Sequence, residues 1–416
     1  MMSRNKIDNA LYAITMGLCI LALLFLPFQQ GLALKWLRAA GEVALLAIII
    51  SPRKYFQDDS KYIAATLLVL ATMTFLWFRI YKTPDSEYVG AYMNYRDWSL
   101  VGIFSAFVIP VMASARENAK KIINTTHLII ALLINVIYIS AACYQFFVQG
   151  ETRATLSLAY GPGATAAAYI ITFMSLYTFA AILTVVKKFR FPLLLVFGFA
   201  NLIAISATGT RAGIIIFPFI IAFILWNEIK GFNRKGKIIC VSSFITLAVI
   251  TALLLAKPIA NRVDDLKSDL TKYNQDNTET SVGARFAMYE TGIRSSYSNF
   301  VGQSLEERNE KIIAIVENDK DKDLSGALRY LNTHLHNQLI DTLSTTGWLG
   351  VTLNIIFLLS VTIFTYKKKF PLIYAYVAAL VLYSMSDVVA YAIPIPMAWL
   401  LTLAVICSLI NNRENV

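Results

Sequence analysis

The chain has 416 residues, 57% of them hydrophobic and 15% charged, with mean hydropathy +0.59 and a formal net charge of +11. A soluble domain carries roughly 25% charged residues, so the composition excludes a soluble globular protein. The basic residues are scattered through short loops, which fits membrane orientation better than nucleic-acid binding.

A membrane-spanning helix needs about 20 apolar residues. The first such run, 10–27, follows Arg4 and Lys6. It is too long for a signal-peptide core and no small-x-small cleavage site follows, so it reads as a retained helix. Further runs cover 32–50, 62–80, 99–115, 127–148, 163–186, 191–208, 212–226, 238–256, 347–366, 370–388 and 394–410, which makes twelve. Cys19, Cys143, Cys240 and Cys407 all lie in such runs, so neither a disulfide framework nor a metal cluster is expected.

Loop charge sets the expected orientation. Nineteen Lys and Arg residues flank the runs on the N-terminal side, from Arg4 and Lys6 through Arg116 to Arg413; the short loops opposite hold seven. The positive-inside rule then places both termini in the cytoplasm. One loop is anomalous. Residues 257–346 form a hydrophilic outer segment between the ninth and tenth runs, far longer than an ordinary connection. Helical character is expected over 281–298, capped by Ser281, and over 305–318, giving a small helical lid. The expected organisation is 1–256 with nine spans, 257–346 as the lid, and 347–416 with three spans and a short tail. The fold class is an all-α polytopic membrane protein.

Few residues offer chemistry. His334 and His336 lie at the end of the lid, and His336 precedes the tenth run by about a turn or more. Histidine titrates near neutral pH and can carry a proton. Arg211, in the tight turn Thr208-Gly209-Thr210-Arg211, stands at the start of the eighth run, where helix N–H groups and a guanidinium together favour an anion. The bland alternative is an arginine reaching to lipid headgroups. Arg285 and Tyr289 are four apart and share a helix face, with Glu290 as a competing partner for Arg285. Arg262, just past the ninth run, is a weaker candidate of the same kind.

Asp387, at the outer end of the eleventh run, and Glu42, in the second, are carboxylates in apolar surroundings. There an ionised side chain costs about 2.5–3.5 kcal/mol. Asp387 can orient a histidine or bind a sugar hydroxyl; Glu42 can pair with Arg38. His127 reads as interfacial and inert. The alternating acids of Asp319–Asp323 lack the glycine and glutamate of a calcium loop and read as a solvated charge run.

These pieces together resemble the lipopolysaccharide O-antigen ligase family, within the wider ligase and polymerase superfamily. The signature is a histidine, then Asn, Ser or Gln, nine residues and a glycine. Here His336-Asn337, residues 338–346 and Gly347 match it. The Thr210-Arg211-Ala212 turn, the Ala284-Arg285-Phe286 segment and the long loop before the tenth run also match. The resemblance implies a GT-C-like fold. It implies transfer of a polysaccharide from undecaprenyl pyrophosphate to the lipid A–core oligosaccharide. The implied setting is the periplasmic face of a Gram-negative inner membrane.

By the same resemblance, His336 is the base, Arg211 and Arg285 bind pyrophosphate, and His334, Asn337, Tyr289, Asp387 and Arg262 support them. Inversion without metal, nucleotide or other cofactor is implied. Two alternatives stay open: an O-antigen polymerase, and a lipid-linked glycan flippase or transporter. The transporter class places its polar residues at mid-membrane, whereas the functional charges expected here gather at one outer boundary, Glu42 being the main exception.

Overall fold

The computed structural model describes residues 4–114, 120–157 and 163–411. Arg116 and Arg413, used in the orientation argument, lie outside them. Sixteen α-helices run in order: α1 (Arg4–Phe25), α2 (Gln30–Ile50), α3 (Pro52–Tyr55), α4 (Ser60–Tyr81), α5 (Val89–Ala113), α6 (Lys120–Cys143), α7 (Ala164–Val185), α8 (Arg190–Ala207), α9 (Arg211–Ile229), α10 (Arg234–Leu254), α11 (Ala256–Tyr273), α12 (Ser281–Arg294), α13 (Leu305–Asn318), α14 (Gln338–Lys368), α15 (Leu372–Ser384) and α16 (Pro394–Asn411). No strand occurs among the described residues. The protein is an all-α polytopic membrane protein.

Each of the twelve apolar runs is a helix. Ten of these are long and apolar enough to cross a membrane. The other two are α2, which carries Lys35, Arg38 and Glu42, and α15, with 13 residues. Glu42 does not pair with Arg38 as expected: Glu42 is exposed, and the Arg38 Nε is buried with no hydrogen-bond partner.

The order of layers follows from which helices are apolar all round. α7 and α16 are buried along nearly their whole length and pack against each other. On one side stand α1, α2, α4, α5 and α14; on the other, α6, α8, α9 and α10. Alanines of α7, among them Ala167, Ala168, Ala180 and Ala181, are fully buried and let neighbouring backbones approach closely. α10 is peripheral, and its Ile239, Ile245, Val249 and Leu253 side chains face outward, as a lipid-facing surface does.

Several buried polar groups inside the bundle are paired. Asn135 and Asn201 exchange two amide hydrogen bonds of 3.0 Å between α6 and α8. His127 is buried rather than interfacial: its ring lies 2.7 Å from the Tyr177 hydroxyl and 3.2 Å from Ser408 Oγ. The four cysteines are free thiols.

The lid is α11, α12, α13 and a 3-10 turn at Ser325–Tyr330. It has its own small core of Ala284, Ala287, Met288, Ile312, Leu324, Ala327 and Leu335. α13 begins and ends where the sequence places it, with Ser304 capping its first turn. α12 is shorter than 281–298, and its cap is the Thr280 hydroxyl, not Ser281. Asp319 and Asp323 do more than carry charge. Asp319 holds Arg294 at 2.6 Å, and Asp323 accepts hydrogen bonds from Thr278 and Ser325. The Trp77 indole N–H donates to the Gln303 carbonyl and the Tyr92 hydroxyl donates to Glu306, tying the lid to α4 and α5.

The helix carrying the signature is the main departure from expectation. α14 starts at Gln338, not Gly347, and breaks at Gly347, where φ is +70° and ψ −168°. The nine residues of the motif are therefore a half-helix. Asn337 caps it, its side-chain oxygen accepting the N–H groups of Leu339 and Ile340. Gly347 ends it. At the break, Trp348 and Leu349 donate to the lid carbonyls of Asn299 and Phe300, and Gln303 donates to the Thr345 carbonyl. A Cβ at Gly347 would lie 2.5 Å from the Phe300 carbonyl oxygen, so both the positive φ and the close backbone approach require glycine.

Candidate active site

The turn before α14 brings both lid histidines to one carboxylate. His336 Nδ1 lies 3.2 Å and His334 Nε2 3.1 Å from Asp387 Oδ1. Asp387 lies beyond the end of α15, in the segment joining it to α16. The Val388 N–H also donates to Oδ1, at 2.9 Å, which fixes the carboxylate's direction. Burial pushes the Asp387 carboxyl up. The hydrogen bond from His336, with the electrostatic pull of both rings and the Val388 N–H, outweighs this and holds it below the usual carboxylate range. Burial pushes His334 down, keeping it neutral. Asp387 therefore orients His336 through Nδ1 and leaves Nε2 for proton transfer, the arrangement a general base needs.

His336 sits at φ +50°, in the left-handed region that non-glycine residues seldom adopt but that histidine tolerates better than most. Several contacts hold it there. The Tyr289 hydroxyl donates to the His336 carbonyl at 2.9 Å and lies 3.2 Å from the Met385 carbonyl. Asn337 Nδ2 also donates to Met385 O, and the Ala390 N–H donates to Gln338 Oε1. The Tyr330 ring meets the imidazole edge-on at 5.3 Å.

Beneath the loop is a buried ion pair. Arg308 of α13 is fully buried, with Nη1 3.8 Å from Asp341 Oδ1 and Nη2 donating to the carbonyls of Leu331 and Thr333. Asp341 in turn accepts the Leu335 N–H and the Tyr95 hydroxyl. One lid arginine and one helix carboxylate thus clamp the chain on both sides of His334.

One turn away is a cavity of about 220 Å³, lined by Arg153, Arg211, Arg262, Arg285, Tyr169 and Ser386 among others. Ser386 precedes Asp387, and Arg285 lies one turn before Tyr289 on α12. The cavity and the histidine corner therefore share two structural supports. Gly209 makes the turn into α9 with φ +62° and lies against the Arg262 guanidinium. Arg211 and Arg262 are not free forks, as expected, but are partly neutralised by α11. Arg211 Nη1 is 2.9 Å from Asp269, and Arg262 Nη1 is 3.2 Å from Asp265.

Arg153 donates to the Thr208 carbonyl and faces Thr210. Burial, then the charges of Arg262, Arg211 and Arg285, push its guanidinium down from its ordinary value. That direction marks cations held together with too little negative charge. Arg285 forms no ion pair among the described residues. Four guanidiniums against two carboxylates leave an uncompensated positive site suited to a multiply charged anion.

The structure thus places the eight residues singled out by the resemblance in two adjoining groups. His336, His334, Asp387, Asn337 and Tyr289 form one corner, and Arg211, Arg285 and Arg262 line the adjoining cavity. Arg153, Arg308, Asp341 and the two α11 acids were not anticipated. α11 could have been read from Val263, Leu266, Leu270 and Tyr273, whose spacing is helical. Arg153 gives no local signal; only the folded 149–157 segment carries it to the α8–α9 turn, where the Ala154 N–H donates to the Ala207 carbonyl.

Residues 193–355, which hold Arg211, Arg262, Arg285 and both lid histidines, match a family model described as O-antigen ligase. The chain is 26% identical over 415 residues to the O-antigen ligase of Escherichia coli (strain K12), covering 99% of this chain and 96% of that protein. An uncharacterized protein of Haemophilus influenzae (strain ATCC 51907 / DSM 11121 / KW20 / Rd) is 34% identical over 131 residues, 29% of this chain and 32% of that protein. With a near full-length relative and a matching family model over 193–355, the chain is similar to the O-antigen ligases along nearly its whole length.

Proposed function

We propose that this protein transfers a polysaccharide from undecaprenyl pyrophosphate to a hydroxyl of the lipid A–core oligosaccharide. The reaction inverts the anomeric carbon, needs no metal, and takes place at the periplasmic face of a Gram-negative inner membrane. One observation carries the reading: a four-arginine cavity adjoins a histidine–carboxylate pair, joined through Ser386-Asp387 and through α12.

In this reading the pyrophosphate lies among the guanidiniums. Each charge-assisted hydrogen bond contributes roughly 1.5–3 kcal/mol, and several together do the work of a divalent ion. An apolar groove of about 210 Å³, lined by Ile214, Pro218, Phe244, Ala248 and Leu255 with Ser206 at the end of α8, opens among α8, α9 and α10 and suits the polyprenyl tail. His336 Nε2 takes the acceptor hydroxyl's proton. The freed oxygen attacks the anomeric carbon, and the pyrophosphate leaves with the bond's electron pair.

The test is purified protein with a lipid-linked glycan, lipid A–core acceptor and EDTA. Transfer to the core is expected. Growth of the glycan on its carrier in place of transfer would mean a polymerase, and a requirement for Mg²⁺ or Mn²⁺ would end the metal-free mechanism.

A further inference from the structure

We propose that His334, His336 and Asp387 form a binding site for Zn²⁺, and that filling it switches the base off. The inhibitory half rests on the reading of His336 as base; the site itself rests on geometry. One ligand atom from each of His334, His336 and Asp387 lies within 4.8 Å of the other two, and His334 Nε2 and His336 Nδ1 are 3.1 and 3.2 Å from Asp387 Oδ1. Zinc takes tetrahedral nitrogen and oxygen ligands at about 2.0–2.2 Å, which puts neighbouring ligand atoms about 3.3 Å apart. Two edges of that tetrahedron are therefore nearly in place, and the rings are already adjacent, with centroids 4.5 Å apart.

Two imidazoles and one carboxylate suit zinc and its neighbours, and do not suit magnesium, which prefers oxygen. The site is also reachable: the His336 side chain is 20% exposed and that of His334 14%, which leaves a fourth position for water. The Val388 N–H holds the carboxylate, as supporting hydrogen bonds do around metal ligands. His334 Nδ1 is buried without a partner, so one such support is missing and binding is weaker than at a structural zinc site.

The inhibition follows from the two nitrogens of His336. As base, its imidazole carries hydrogen on Nδ1, facing Asp387, and a lone pair on Nε2. A zinc ion bonded to Nδ1 takes that lone-pair direction. The ring's single hydrogen must then sit on Nε2, and no lone pair remains to accept the acceptor's proton. No covalent bond of the protein changes; one proton moves from Nδ1 to Nε2 through solvent.

The experiment is calorimetric titration of the purified full-length protein with ZnCl₂ without lipid substrates, repeated with Co²⁺ and followed by visible absorption. One zinc per chain, intense tetrahedral cobalt bands and no heat with MgCl₂ are expected. His334→Ala and Asp387→Asn should each weaken zinc at least about tenfold. Zinc should inhibit transfer and EDTA restore it. In His334→Ala the zinc needed for half-inhibition, taken against that variant's own rate, should rise by the same factor. Absence of stoichiometric binding, binding indifferent to His334→Ala, or a rate raised by zinc each overturns the proposal. Zinc bound by a protein without transferase activity overturns the base assignment and leaves the site. Full activity without zinc binding overturns the site alone.

Discussion

The arginine cavity and the histidine corner lie side by side and are built on opposite principles. The cavity collects four cations from the 149–157 segment, the start of α9, α11 and α12, and neutralises only two of them. The corner is one short stretch in which nearly every polar group has a fixed partner, down to the strained φ of His336. The cavity keeps unspent charge that a ligand can use. The corner spends its hydrogen bonds on position. Binding tolerates unrest, whereas proton transfer needs a fixed donor–acceptor line.

The contrast makes the corner the more fragile in rate. His336→Ala is expected to lower turnover by about 10²–10⁴-fold, the usual contribution of a general base, with donor affinity nearly unchanged, read as kcat and KM. An equal loss in KM would erase the distinction between the two regions. Arg308→Ala is expected to destabilise the lid by about 3–5 kcal/mol, because it leaves the buried Asp341 without its counter-ion. Thermal unfolding in detergent reads it, and an unchanged Tm refutes the clamp.

In the cavity, Arg285→Ala is expected to weaken donor binding by about 10–100-fold, equivalent to one charge-assisted bond. Arg262→Ala should cost less, because Asp265 already claims that guanidinium. Titration with a pyrophosphate analogue orders the two, and the reverse order would show that the α11 acids do not compete with the ligand.

Gly347→Ala should destabilise by about 1–3 kcal/mol from its positive φ, with a further cost from the Phe300 contact, and should raise protease sensitivity at 295–303. The smallest effect concerns Asp323. Burial pushes its carboxyl up, but hydrogen bonds from Ser325 and Thr278 bring it down to about 2 from 3.8. A depressed folded-state pKa stabilises above the unfolded value and loses that contribution as pH falls. Lid stability from this group should be complete above about pH 4 and fade towards pH 2. Asp323→Asn should flatten that slope in limited proteolysis.

The two regions also differ in how far they could be read beforehand. Hydropathy marks all twelve apolar helices because lipid leaves the backbone few choices. Asp387 could be singled out because a carboxylate in an apolar run needs a reason, and its partner proved to be the histidine pair. The start of α14 was misplaced because 338–346 is polar on too many faces to resemble a span, although Asn337 is a good cap. The cavity was only half visible. Arg211 sits at a recognisable helix start, but Arg153 arrives by a fold of the chain. That the α11 acids would pair with Arg211 and Arg262 depends on how α11 leans back over α9, which spacing does not encode.

The break at Gly347 joins the lid to α14 through three backbone hydrogen bonds, eleven residues from His336. For the lid to swing wide enough to admit a bulky glycan, those bonds must part, and the half-helix loses its lid-side anchor. On the proposed function, His336 would then be aligned as proton acceptor only while the lid is shut. Such a latch would spare the costly carrier from being squandered on water while the door stands ajar.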